Sequence, residues 1–119
     1  RPYHLTSLEA PITIYKAVVE NEATIAPIQG QVADTVTIAK RDIKKGETLD
    51  GIGSEKVYGK ITSHTRSIQE DLLPIGMITE KTVATVDIPK DTLIDMTMVE
   101  VDDRATVTRL RRRQNSMKL

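Results

Sequence analysis

Lys40, Arg41, Lys44 and Lys45 fall within one short stretch, the densest run of cations before the C-terminus. Ammonium and guanidinium groups at this spacing can hold a carboxylate or a phosphate through charge-assisted hydrogen bonds, the recognition that a sugar acid or phosphosugar requires. Asp42 and Glu47 are interleaved with them, so a solvated turn with its charges balanced internally explains the same pattern and is the plainer reading. Gly51-Ile52-Gly53 could let a backbone approach a ligand or a partner domain closely. The dinucleotide fingerprint needs a third glycine opening a helix, and position 56 is Lys, so a tight loop between β units is expected instead. His4, with Arg1 and Tyr3 beside it, has the composition of an active-site edge. A histidine without a nucleophile or an orienting carboxylate is more often structural. His64 sits in a polar stretch and is expected at the surface. Tyr58 reads as packing or interface, and Glu100, Asp102 and Asp103 as a solvated strand end, because no calcium-loop spacing accompanies them.

Composition removes several chemistries. There is no Cys, which excludes thiolate catalysis, disulfides and the common structural zinc sites. With two His far apart, no metal site is expected. Seventeen Lys and Arg balance seventeen Asp and Glu, and aromatic residues make up 3%, so neither the charge nor the stacking surface of a nucleic-acid binder is present. No apolar run has the length of a membrane span, and no basic-then-apolar leader is seen. A cytoplasmic protein without nucleic-acid or membrane partners is expected. At 119 residues, one domain with a modest core is the natural size.

The elements that would position these residues are written twice. Thr37-Ile38-Ala39-Lys40-Arg41-Asp42-Ile43-Lys44-Lys45-Gly46-Glu47-Thr48-Leu49-Asp50 returns without a gap as Thr82-Val83-Ala84-Thr85-Val86-Asp87-Ile88-Pro89-Lys90-Asp91-Thr92-Leu93-Ile94-Asp95. Each copy reads as a short strand, a turn and a second strand. One such unit cannot bury its apolar face alone, so two copies predict a pseudo-symmetric β domain. Asp42 and Asp87 recur at the same place and are assigned to turn chemistry, accepting local backbone N–H bonds.

Ahead of the repeat, Thr6-x-x-Glu9 has capping-box spacing. Leu8, Ile12, Tyr15 and Val19, with Ile14 and Val18, follow helical periodicity, predicting a helix that fades near Asn21. Residues 24–34 read as connecting chain, 36–40, 57–61, 81–86 and 93–94 as strands, 62–71 as helical or irregular, and 72–78 as a return to the core. The run Arg109-Leu110-Arg111-Arg112-Arg113-Gln114 reads as a basic tail.

The unit Ala39-Lys40-Arg41-Asp42-Ile43-Lys44-Lys45-Gly46-Glu47-Thr48-Leu49 resembles the SAF domain of sialic acid synthases, type III antifreeze proteins, sugar-acid dehydratases and flagellar or pilus assembly factors. That resemblance implies a β-clip, bent hairpins wrapped around a small core. A wider match starts from Arg1-Pro2-Tyr3-His4-Leu5-Thr6-Ser7-Leu8-Glu9 and continues through Ala39-Lys40-Arg41-Asp42, Leu49-Asp50-Gly51-Ile52-Gly53, Val57-Tyr58-Gly59 and Leu72-Leu73-Pro74-Ile75-Gly76. It is similar to the C-terminal region of homoserine-dehydrogenase-like NAD(P)-dependent oxidoreductases, including the 1-deoxy-D-xylulose 5-phosphate reductoisomerase-like branch.

The resemblance implies a mainly β fold, an SAF-like β-clip preceded by one N-terminal helix. Residues 1–34 would be helix and linker carried over from a catalytic domain, 35–104 the β-clip, and 105–119 the tail. The expected role is to brace the catalytic domain, the substrate cleft or an oligomer contact, with Rossmann and catalytic domains of the same polypeptide as partners. NAD(P) would bind the full-length protein and no cofactor this chain. No catalytic residue is expected here, because no acid, base or nucleophile with a partner can be assembled. Arg1, Tyr3, His4, Gly51, Gly53 and Tyr58 are the candidate interdomain contacts. In the alternative, a stand-alone SAF module binds a sugar acid or phosphosugar through Lys40, Arg41, Lys44 and Lys45. The opening at Arg1 suggests a piece of a longer protein or a trimmed one.

Overall fold

A computed structural model describes residues 5–26 and 30–117. The chain divides into two compact units, Arg1–Gly30 and Gln31–Leu119. In the first unit, α1 (Thr6–Tyr15) runs on into a wider helical turn over Lys16–Glu20 and stops at Asn21, whose φ of 54° turns the chain out of the helix. The stop falls where the periodicity predicts it. The capping box does not form: Thr6 is already helical, Leu5 occupies the cap position, and no side chain bonds the first N–H groups. No residue of this helix is buried.

The second unit is built on the repeat. β1 (Ala33–Ala39) pairs antiparallel with β2 (Val57–Ser63), from Ala33 opposite Ser63 to Ala39 opposite Val57. α2 (His64–Gln69) follows at once, its first turn capped by Ser63 Oγ accepting from the Arg66 N–H. β3 (Val83–Ala84) pairs antiparallel with β4 (Val99–Glu100), and α3 (Thr106–Ser116) closes the described chain.

The two copies pair with each other about a pseudo-dyad at Ile43 and Ile88. The Ile43 N–H donates to the Ile88 carbonyl at 2.9 Å, and the Ile88 N–H to the Ile43 carbonyl at 2.8 Å. The pattern repeats outward. Gly46 N–H donates to Ala84 as Asp91 N–H does to Ala39, and Leu49 N–H to Thr82 as Ile94 N–H does to Thr37. Both turns need a left-handed residue at equivalent places, Gly46 at φ 87° and Asp91 at φ 64°. The core gathers around this axis: Ile43, Leu49, Val57, Leu73, Ile88 and Ile94 are fully buried.

Among the described residues the architecture is mixed α/β, with three helices and two small antiparallel sheets, rather than mainly β. Two expectations change for one reason. The second copy's strand is only Val83–Ala84, and Leu93 is joined to Ile38 by a single bridge, because the interlocking turns satisfy this backbone without long ladders. Residues 106–116 form a helix within the second unit where a tail is predicted. No helix among the described residues is long and apolar enough to cross a membrane.

Candidate functional site

The basic cluster lies at the first turn of the repeat, and three of its four cations are already engaged by the protein. Arg41 donates to Glu47 at 2.9 Å and to the Asp42 carbonyl at 2.6 Å. Lys44 Nζ donates to Asp87 Oδ2 at 2.9 Å, and Lys40 Nζ to the Ser54 carbonyl at 2.9 Å. The Lys45 backbone N–H donates to Asp87 Oδ1. The bond to Glu47 raises the Arg41 pKa, and the bond to Asp87 raises that of Lys44. Bonds from Arg41 and from the Lys44 N–H hold the Glu47 carboxyl below its ordinary value. This is an internally balanced turn.

Asp42 and Asp87 accept backbone N–H bonds, as their recurrence predicts, but not locally. Asp42 Oδ1 accepts from the Lys90 N–H and Asp87 Oδ1 from the Lys45 N–H, each at 2.8 Å. Each copy's aspartate caps the other copy's turn. The Lys45 N–H and then Lys44 hold the Asp87 carboxyl low.

Gly51 and Gly53 have φ of 80° and 85°, and a side chain at either would meet open space, so conformation rather than a close neighbour demands glycine there. The loop is tied down by Lys56, whose Nζ donates to the Thr48 carbonyl at 2.7 Å and pairs with Asp50 at 2.6 Å. Tyr58 is partly exposed on β2, opposite Ile38. Arg1, Tyr3 and His4 lie outside the described residues. Asp102 pairs with Lys81 and Asp103 with Arg112, so these adjacent acids serve separate cations.

A largely buried polar cluster of the second unit joins residues that the sequence does not bring together. Asp34, on β1, accepts two hydrogen bonds from Arg111 of α3, one of them 3.1 Å from Nη1, and a third from Ser67 Oγ of α2 at 2.9 Å. His64 Nδ1 stands 4.0 Å from the same carboxylate. His64 is half-buried rather than at the surface, because β2 passes directly into α2 and turns its first residue toward β1. Burial pushes the Asp34 carboxyl up, and the bonds from Arg111 and Ser67 outweigh it, leaving the carboxyl below its ordinary value. One signal for Asp34 was present in the sequence: it continues the two-residue alternation of Val36 and Ile38 on the inward face of β1.

Beside this cluster, a groove of about 750 Å³ separates the β1–β2 hairpin from α3. Ile61, Ile75 and Met77 line it from the body of the unit, and Val107, Leu110 and Arg111 from α3. The Ser67 hydroxyl donates to the carboxylate and is 2% exposed, and the carboxylate is held by Arg111, so the four polar residues do not form a nucleophile–base–acid relay. Their chemistry is that of a clamp. Compared with the models of known families and with curated proteins, the chain matches none.

Proposed function

We propose that this chain is the C-terminal, SAF-like region of a homoserine-dehydrogenase-like NAD(P)-dependent oxidoreductase, bracing the catalytic domain and holding no active site of its own. The observation that carries this reading is the apolar surface of the first unit. Leu8, Ile12, Ile14, Tyr15, Val18 and Val19 are each more than half exposed. A helix that leaves so wide an apolar face exposed belongs in the interior of a larger assembly. The reciprocal turns of the repeat supply the second support, since a β-clip made of two interlocked hairpins requires such an axis. NAD(P) would then bind the Rossmann domain of the same polypeptide, and the protein would work in the cytoplasm, with an oligomer contact as a further use of the exposed surface.

The sugar-acid reading has less support, because Lys40, Arg41 and Lys44 already serve internal acceptors. The intact mass of the natural polypeptide separates the two. A mass well above 13.2 kDa, with a Gly-x-Gly-x-x-Gly segment in the added sequence and NAD(P)H bound by the whole protein, is expected. A natural product of 13.2 kDa would discard the oxidoreductase reading. Saturable hexuronate binding, lost in the Lys44→Ala, Lys45→Ala double variant, would put the sugar-acid module in its place.

A further inference from the structure

Helix α3 is an unusual element to find folded onto an apolar core. Its sequence, Thr106-Val107-Thr108-Arg109-Leu110-Arg111-Arg112-Arg113-Gln114-Asn115-Ser116, buries one residue, and that residue is Thr108. Its two large apolar side chains do not hold it down: Val107 is 38% exposed and Leu110 60%. The side-chain hydrogen bonds that tie it to the β1–β2–α2 body are those from Arg111 to Asp34. The pair between Arg112 and Asp103 is exposed and reaches only the turn before the helix. That turn, with the Ala105 N–H donating to the Asp102 carbonyl, leads into a helix whose N-terminus has no side-chain cap.

The docked state also carries polar groups that water would satisfy better. Thr108 Oγ1 and Arg111 Nε are buried without a hydrogen-bond partner among the described residues, and so is His64 Nδ1 across from them on α2. A donor or acceptor removed from water and left unpaired opposes the contact that buries it. Little apolar burial and several orphaned polar atoms therefore stand against a single buried ion pair. The body beneath is different in kind, with the seven-residue β1–β2 ladder and fully buried Val36, Leu73 and Ile94 around it.

We infer that α3 is a detachable flap, opening as a unit about residues 102–105 while the interlocked hairpins stay folded, and uncovering the buried groove residues Pro74 and Met77. Segments of low local stability open below the free energy of global unfolding and exchange their amides accordingly. The inference concerns the second unit alone and stands whether or not the oxidoreductase reading does.

Hydrogen exchange measured residue by residue on the whole chain tests it. The amides of Leu110 to Gln114 should be protected, yet exchange at least about a hundredfold faster than those of Thr37, Leu49 and Ile94, which donate into the core. Thr108→Val removes the orphaned hydroxyl at nearly constant shape, and should slow exchange in α3 and in the core by a common factor of about ten, because both openings start from the docked state that it stabilises. Asp34→Asn should speed α3 and the core by a common factor, since it weakens the docked state from which both open. The flap is overturned if α3 exchanges together with the core, if it shows no protection, or if Thr108→Val leaves it unchanged. Should Asp34→Asn fail to fold, the wild-type profile and Thr108→Val still decide.

Discussion

Replacing Asp34 by Asn removes one charge and almost no volume at the point where β1, α2 and α3 meet. The carboxylate side chain is 7% exposed and that of Arg111 12%, so the ion pair is shielded from solvent on both sides. Asn retains an acceptor for Ser67 or for Arg111 but cannot compensate the guanidinium. Stranding a buried charge costs about 3–5 kcal/mol when the structure cannot relax. Here it can: α3 can leave and return Arg111 to water, so the loss is capped by the free energy that docks the helix. Hydrogen bonds to charged groups contribute about 1.5–3 kcal/mol, and a loss of about 2 kcal/mol at pH 7 is expected. Urea unfolding followed by circular dichroism measures it. The denaturant dependence should also fall slightly, because a native state with α3 released already exposes surface.

The dependence on pH has a definite sign. The folded Asp34 carboxyl lies below its ordinary value, so its contribution is fully present above the unfolded pKa of about 3.9 and is lost as pH falls through the lower folded value. The difference between wild type and Asp34→Asn should be flat from about pH 5 to pH 8 and shrink below about pH 4. The double variant Asp34→Val, Arg111→Met should recover much of the loss, since an apolar pair leaves no stranded charge. A difference below about 0.5 kcal/mol at pH 7 would refute the clamp. So would a difference undiminished at the lowest pH where both proteins fold.

Other outcomes follow from backbone geometry. Gly46→Ala should lower stability by about 1 kcal/mol, and Asp91→Gly at the symmetric position should raise it by a smaller amount, both read from thermal midpoints. A Cβ on Gly59 would lie 2.7 Å from Thr35 Cγ2 and 3.3 Å from Ile75 Cδ1, so Gly59→Ala should cost about 1 kcal/mol, and adding Thr35→Ser should restore most of it. Ile43→Ala and Ile88→Ala should each cost about 2–5 kcal/mol, near one another in size, and their sum should differ from the double variant because the two residues touch across the axis.

What the sequence makes legible is what repetition and periodicity encode. The duplicated segment announces the pseudo-dyad, since Asp42 with Asp87 and Ile43 with Ile88 recur in register and pair across it. The end of the helical segment at Asn21 is legible because the run of periodic apolar residues stops just before it, at Val19. The capping box fails because its spacing is common and carries no information on whether Thr6 lies outside or inside the first turn. The Asp34–Arg111 clamp stayed hidden for a topological reason: its members lie far apart in the chain, and nothing local to either says that α3 folds back onto β1. A run of arginines reads as solvated because most such runs are, and the single member that turns inward is marked only by its spacing from Ala105 and Thr108.

The pseudo-dyad also narrows where a function can reside. Positions that match across the repeat are explained by one another: Asp42 by the turn at Lys90, Asp87 by the turn at Lys45, Gly46 by Asp91. Such residues would be required of any chain with this fold, whatever it did. Chemistry specific to this protein must come from places where the copies diverge. Asp50 and Asp95 are one such place: Asp50 turns left-handed and takes Lys56, whereas Asp95 accepts N–H bonds from Thr97 and Met98 at the start of a short helical turn. The inserted stretch that carries α2 is another, and α3 is a third, and these two converge on Asp34. If the second unit has a working surface of its own, it should be this asymmetric side with its groove, and variants at Ile61 and Leu110 should impair the intact protein more than equally exposed changes at the turns of the repeat.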